Sequence, residues 1–132
     1  MKYVLDTHAL IWFLEGNPRL SDRAREILFE PTSDLILPAI ALAEAVWIVA
    51  RGKTSIPSAE MILAAISRDR RITIYPLDKM VIEQTLQLVN IHEMHDRQIV
   101  ATAIVLARGT EQVVLLTCDQ NITASNLVPV IW

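Results

Sequence analysis

The chain has 132 residues, a formal net charge of −3, a single cysteine and a hydrophobic fraction of 52%. That length predicts one domain, residues 1–132, large enough to bury a real core, and the lone Cys118 excludes an internal disulfide framework and fits a reducing compartment. No run reaches the ~20 apolar residues of a membrane-spanning helix: the apolar stretch from Leu35 to Ala50 carries Pro38 and Glu44.

Asp6 and His8 interrupt the N-terminal apolar run, and no small-residue cleavage site follows, so no signal peptide is visible. The expectation is a soluble cytoplasmic protein with no membrane partner. Surface polarity is scarce for so small a chain, which predicts a self-association face or a partner-binding groove. Net charge excludes little. If four of the 15 acids hold a metal, 11 remain against 12 basic residues, and an anionic partner stays open.

In chain order, Tyr3-Val4-Leu5 predicts a short strand ending on Asp6, and His8 to Leu14 a helix stopped by Gly16-Asn17-Pro18. Ser21 is an N-cap for a helix from Asp22 to about Phe29 or Glu30, with Ala24, Ile27 and Leu28 on one face. Leu35-Ile36-Leu37 reads as a buried parallel strand. Pro38 opens an Ala-rich helix to about Arg51, with Gly52 at the C-cap. Further helices are expected from Pro57-Ser58 to about Arg68, from Asp78 through Val89, and from about Asp96 to Ala107, closed by Gly109. Ile72 to Tyr75, Val113 to Leu116 and Val128 to Ile131 read as strands, and Thr117 to Asn121 as a turn or short helix. The pattern predicts an α/β domain with a mainly parallel sheet and helices on both faces.

Four carboxylates stand out by position. Asp6 and Asp119 each follow an apolar strand, at the strand end where ligands bind in open α/β sheets. Taken alone, Asp6 is more often a helix cap, Asp96 a first-turn acid facing the helix dipole, and Asp119 ordinary turn chemistry. Glu44 is harder to absorb. Its helical neighbours Ile40, Ala41, Trp47 and Ile48 are all apolar, and it is the only charge between Asp34 and Arg51. A carboxylate buried there needs a cation, a hydrogen-bond network or a proton. If the four acids share one crevice, they cannot all ionise without a counter-charge. Mg²⁺, a hard cation that keeps several waters and accepts phosphate oxygens, resolves this and suits phosphodiester hydrolysis.

Other signals are weaker. His8, His92 and His95 match no zinc spacing and are expected at the surface or behind a site. The clusters Arg68-Arg70-Arg71 and Arg51 with Lys53 read first as solvated helix ends, with a hold on RNA phosphates as the alternative. Trp12 and Trp47 read as core or interface side chains rather than base-stacking platforms. No phosphate-cradling glycine motif and no nucleophile elbow is present.

The ordered set LDTHALIW, GNPRLSDRAR, AEAVWIVARGK, HDRQIVATA, LLTCD and the final VPVIW resembles the PIN-domain ribonucleases, and among them the VapC-type toxins of bacterial toxin–antitoxin pairs. The resemblance implies a three-layer α/β/α fold and an Mg²⁺- or Mn²⁺-dependent endoribonuclease acting on RNA. It implies Asp6, Glu44, Asp96 and Asp119 as catalytic and metal-binding residues. Thr7, Arg97 and Thr117 stand behind them or against substrate. It also implies a homodimer and a cognate antitoxin that inserts a helix or tail near the acidic pocket. The chain departs from close relatives at Glu93-Met94-His95, where Asp-Pro-Phe is common, and at Pro38 and Ala41, where serines are common. Two other readings stand beside this one: a metal-free RNase using a histidine pair, and a non-catalytic module whose acids receive a partner's arginines.

Overall fold

A computed structural model describes residues 1–109 and 111–132. The elements run β1 (Lys2–Leu5), α1 (Thr7–Glu15), α2 (Asp22–Phe29), β2 (Asp34–Pro38), α3 (Ala39–Ala50) and α4 (Ala59–Arg68). They continue with β3 (Ile72–Tyr75), α5 (Lys79–Thr85), α6 (Met94–Leu106), β4 (Val113–Leu116), α7 (Gln120–Ser125) and β5 (Val130–Ile131). The sheet order is β3-β2-β1-β4-β5, and every pair is parallel. α1 to α4 lie in the connections from β1 to β3, and α5 to α7 in those that lead back from β3 across to β4 and β5; right-handed crossovers put the two sets on opposite faces. The result is the three-layer α/β/α architecture expected from the sequence.

The strands are short and apolar because they are covered on both faces. Tyr3 lies opposite Leu35 and Val114, and Val4 opposite Ile36 and Leu115. Val4, Leu5, Leu35, Leu37, Leu115 and Leu116 are fully buried and form the centre of the core, with Leu10, Leu28, Ile62 and Ile99 packed on it from the helices. Connection direction reverses between β1 and β4. The crevice at their carboxyl ends is the topological switch point, where α/β sheets bind ligands.

Helix ends follow local chemistry. The side chains of Asp6, Ser21, Asp78 and Asp119 each accept a backbone N–H at the start of α1, α2, α5 and α7. Gly16 and Gly52 close α1 and α3 with φ of 66° and 70°, a left-handed conformation that costs glycine nothing. Arg71 ties the start of β3 to the end of α2: it pairs with Asp69 at 2.7 Å and donates to the carbonyls of Leu28 and Glu30. These contacts give Arg71, of the Arg68-Arg70-Arg71 group, a structural role, and the bond from Arg71 holds the Asp69 carboxyl below its usual range even against some burial.

Several boundaries differ from expectation. The fifth helix ends at Thr85 rather than Val89, since the chain goes on in tighter turns that bury Leu88 and Ile91. The sixth begins at Met94 rather than Asp96, because Glu93 caps it by accepting from the Asp96 amide at 2.7 Å; Glu is not a usual cap residue. The fourth starts at Ala59, after Ser58. The last strand is confined to Val130–Ile131. Trp47 is 62% exposed and so is not a core residue; its ring lies 4.5 Å from the Arg51 guanidinium. Among the described residues, no helix is long and apolar enough to cross a membrane.

Leu5 is fully buried at the end of β1 and directly precedes Asp6. Leu5→Ala leaves a cavity under the crevice and should cost about 2–5 kcal/mol. Urea denaturation should show a lower midpoint with an unchanged slope.

Candidate functional site

The end of β1 turns directly into α1, and Asp6 sits on that turn with 9% of its surface exposed. Both carboxylate oxygens are engaged. Oδ1 accepts the Thr7 amide at 2.6 Å, and Oδ2 accepts the hydroxyl of Thr117, which ends the neighbouring β4. Asp6 is therefore a cap and a site residue at once. Burial pushes its carboxyl up from the ordinary value, the bonds from Thr117 and Thr7 and the nearby His8 work against that, and Asp119 adds to it.

Thr117 links two acids. Its hydroxyl donates to Asp6 and accepts the Asp119 amide at 3.0 Å. Asp119 caps α7 through the Ile122 amide at 2.9 Å. Thr7 makes a second link, donating from Oγ1 to Glu44 Oε1 at 2.7 Å and so tying the start of α1 to α3. The other Glu44 oxygen lies 3.0 Å from His95 Nδ1, which is also 3.0 Å from Glu93. The network that a lone carboxylate on an apolar helix requires is thus present, built from Thr7 and His95.

Asp96 projects from the first turn of α6 toward the same place. Its carboxylate accepts no hydrogen bond among the described residues. Burial pushes its pKa up to about 7, reinforced by the charges of Asp119, Asp6, Glu93 and Glu44. Asp6, Thr7, Glu44, Asp96 and Asp119 line one open pocket of about 330 Å³, together with His8, Trp12 and Cys118. The last three were not singled out as site residues from sequence. His8 and Trp12 lie on consecutive turns of α1 facing the crevice, and Cys118 is held between Thr117 and Asp119. Burial and the nearby Asp6 push the Cys118 thiol up, so it is not an activated nucleophile.

Arg97 does not join the pocket. Its guanidinium donates to the carbonyls of Ile91 and Val89 and lines a separate cleft with Thr85 and Gln98. It fastens the turns after α5, which gives it a structural reason for following Asp96.

The acids fit a hard divalent cation. Among the described residues, no three His, Cys, Asp or Glu side chains are already gathered as a closed ligand group. Mg²⁺ does not need one, because it binds through one or two carboxylates and keeps several waters. The crowding that holds a proton on Asp96 is the charge imbalance such an ion relieves.

This crowding has a consequence for stability without metal. An unfolded aspartate titrates near 3.8, whereas Asp96 keeps its proton to about 7. Between those values the folded chain binds more protons than the unfolded one, so its stability falls as pH rises and levels off above the upper value. In EDTA, Asp96→Asn should lose this part of the slope and melt higher than wild type near pH 8, while the two converge toward pH 4. Mg²⁺ should raise the wild-type melting temperature most at the alkaline end. Parallel melting curves across that range would contradict the assignment.

The PIN domain family matches residues 3–124. No curated protein sequence matches the chain. Among solved structures, the chain is similar to VapBC2 of Rickettsia felis bound to a promoter DNA fragment, at 17% identity and a TM-score of 0.71, covering 100% of this chain and 99% of that one. It is similar to DNA-bound VapBC of Salmonella typhimurium at 19% identity and a TM-score of 0.70, covering 99% and 97%. A third is VapC20 of Mycobacterium tuberculosis, a sarcin-ricin loop cleaving toxin, at 15% identity and a TM-score of 0.69, covering 96% of both chains. At such identities these structures speak for the fold. The family match spans nearly the whole chain and includes all four acids of the pocket: the chain belongs to the PIN domain family.

Proposed function

We propose that this PIN domain is a metal-dependent endoribonuclease and the toxin of a toxin–antitoxin pair. One observation carries the reading: Asp6, Glu44, Asp96 and Asp119, from four separate elements, meet in a single pocket at the switch point of the sheet. A purely structural set of acids would be paired with arginines or lysines. Here the partners are two threonines, a histidine and one another.

Asp6, Asp96 and Asp119 would hold Mg²⁺ or Mn²⁺, with Glu44 as a further ligand or as the group that orients the attacking water. The ion supplies charge against the carboxylates and the scissile phosphate and makes water a usable nucleophile near neutral pH. The residues of the chain do the positioning. Thr117 holds Asp6 and the Asp119 backbone in one frame, so the two strand-end acids move together. Thr7 and His95 fix both oxygens of Glu44 and set the direction in which it can accept a proton from water. Asp96, with no hydrogen bond to its carboxylate, is the acid freest to adjust as charge enters the pocket. Hydrolysis leaves a 5′-phosphate and a 3′-hydroxyl.

Partners are proposed on the same footing. An apolar cleft of about 520 Å³ adjoins the acids, lined by Ile40, Ala43, Trp47 and Ile48 with Glu44 and His95 at its edge. It would take the antitoxin; several similar folds were solved as toxin–antitoxin complexes. Met80, Ile82, Leu86 and Val89 expose a second apolar face along α5 and the turns after it, which supports a homodimer.

Asp6→Asn and Asp119→Asn each retain a side chain able to cap a helix, and each should leave a folded protein that no longer cuts RNA. Thr117→Val should weaken activating metal about 10–100-fold. Sequencing of RNA ends after incubation with Mn²⁺ checks the product chemistry. Cleavage that persists in excess EDTA, or that leaves 2′,3′-cyclic phosphates, would overturn the metal mechanism in favour of histidine chemistry.

A further inference from the structure

A second, polar cleft of about 380 Å³ opens beside the acidic pocket, and His8 and Trp12 wall both. The two residues are one helical turn apart on α1, so a strand crossing the acids passes directly over them into this cleft. Its far side is built from Asn17 and Arg19, after α1, and from Lys53 and Thr54, after α3. We propose that this cleft is a subsite for a backbone phosphate of single-stranded RNA next to the one being cut. The proposal rests on the nuclease reading above and adds where the flanking strand lies.

The chemistry of the wall is that of a phosphate site. Neither Arg19 nor Lys53 has a carboxylate within ion-pair distance among the described residues, and both are exposed. The Arg19 guanidinium carbon lies 5.9 Å from the centre of the Trp12 ring, which also lines the cleft. Thr54 Oγ1 accepts the Ile56 amide at 3.2 Å, which leaves its own hydrogen to donate outward. One carboxylate, Glu15, also lines the cleft, but its oxygens are consumed. They accept the Ser55 amide at 2.8 Å, the Ser55 hydroxyl at 2.9 Å and the Asn17 amide at 3.1 Å. Slight burial acts to raise the Glu15 carboxyl; the bonds from Ser55 and Asn17, with Arg19 nearby, outweigh it and bring it below its ordinary value. Glu15 is thus a clamp that ties the loop carrying Lys53 and Thr54 to the end of α1. Two uncommitted cations and a free hydroxyl are left facing solvent on a frame that is already ordered. The volume falls within the roughly 300–1,000 Å³ of small-ligand pockets.

The test is binding of a short fluorescein-labelled single-stranded RNA of mixed sequence, followed by anisotropy in Ca²⁺ over a range of salt. Arg19→Ala combined with Lys53→Ala should weaken binding tenfold or more. It should also flatten the plot of log affinity against log salt by about 0.7, the value of one neutralised phosphate on a single strand. Lys53→Gln alone, on an exposed loop, should show half that change and keeps the test readable if the double variant does not fold. Arg19→Lys with Lys53→Arg should restore the wild-type slope. Unchanged affinity and slope in the double variant of a wild type that cuts RNA would overturn the subsite and leave the nuclease intact. A wild type that binds RNA through these cations but cuts nothing in Mg²⁺ or Mn²⁺ would overturn the nuclease reading instead.

Discussion

The hydrogen bond from Thr117 to Asp6 joins residues 111 positions apart, and the rest of the pocket hangs from it. It bridges the ends of β1 and β4, the pair of strands between which the direction of the sheet's connections reverses. Because Thr117 also accepts the Asp119 amide, one hydroxyl sets the spacing of two acids. Without such donors, the carboxylates at neighbouring strand ends, Asp6 buried and Asp119 half-buried, would repel each other and splay the crevice. With them, the sheet holds the acids close enough to matter and far enough apart to stay open.

Around that bond the protein separates two kinds of acid. Asp6 and Asp119 are held by the backbone they cap, Glu44 by side chains on both oxygens, and Asp96 by nothing but proximity. Asp96, with no donor to offset its desolvation, keeps its proton to about 7, and burial raises the Asp6 carboxyl as well, against the bonds from Thr117 and Thr7. A pocket with three anchored acids and one adjustable one can take up a cation without moving its frame. The His95 contact with both Glu44 and Glu93 is a polar brace between α3 and the start of α6.

Much of this was legible in the sequence, for identifiable reasons. The strands were visible because burial on both faces makes them continuous apolar runs, and Glu44 because a lone charge on an apolar helix demands a partner. Asp6 and Asp119 were ambiguous because capping and ligation ask for the same residue in the same place. The start of α6 was misplaced because Glu93 caps with a longer side chain than usual. The resemblance implies Arg97 for the site together with Asp96, but successive residues on a helix point about 100° apart, and the Arg97 guanidinium turns to the Ile91 and Val89 carbonyls instead. Of the polar cleft, the sequence marks only Lys53, as part of a basic cluster with Arg51. Glu15, Asn17 and Ser55 are ordinary surface residues until the fold brings two loops together.

The strand order also sets a timetable. β1 can pair with β2 as soon as β2 is made, but its other neighbour, β4, follows only after α3, α4, β3, α5 and α6. Domains form as units during synthesis, with early segments waiting for late ones. Until β4 leaves the ribosome, Asp6 has neither the Thr117 hydroxyl nor Asp119 beside it, and no acidic crevice exists. A growing chain of this topology therefore gains the pocket in one step, when β4 pairs with β1, and not by degrees as each acid is made.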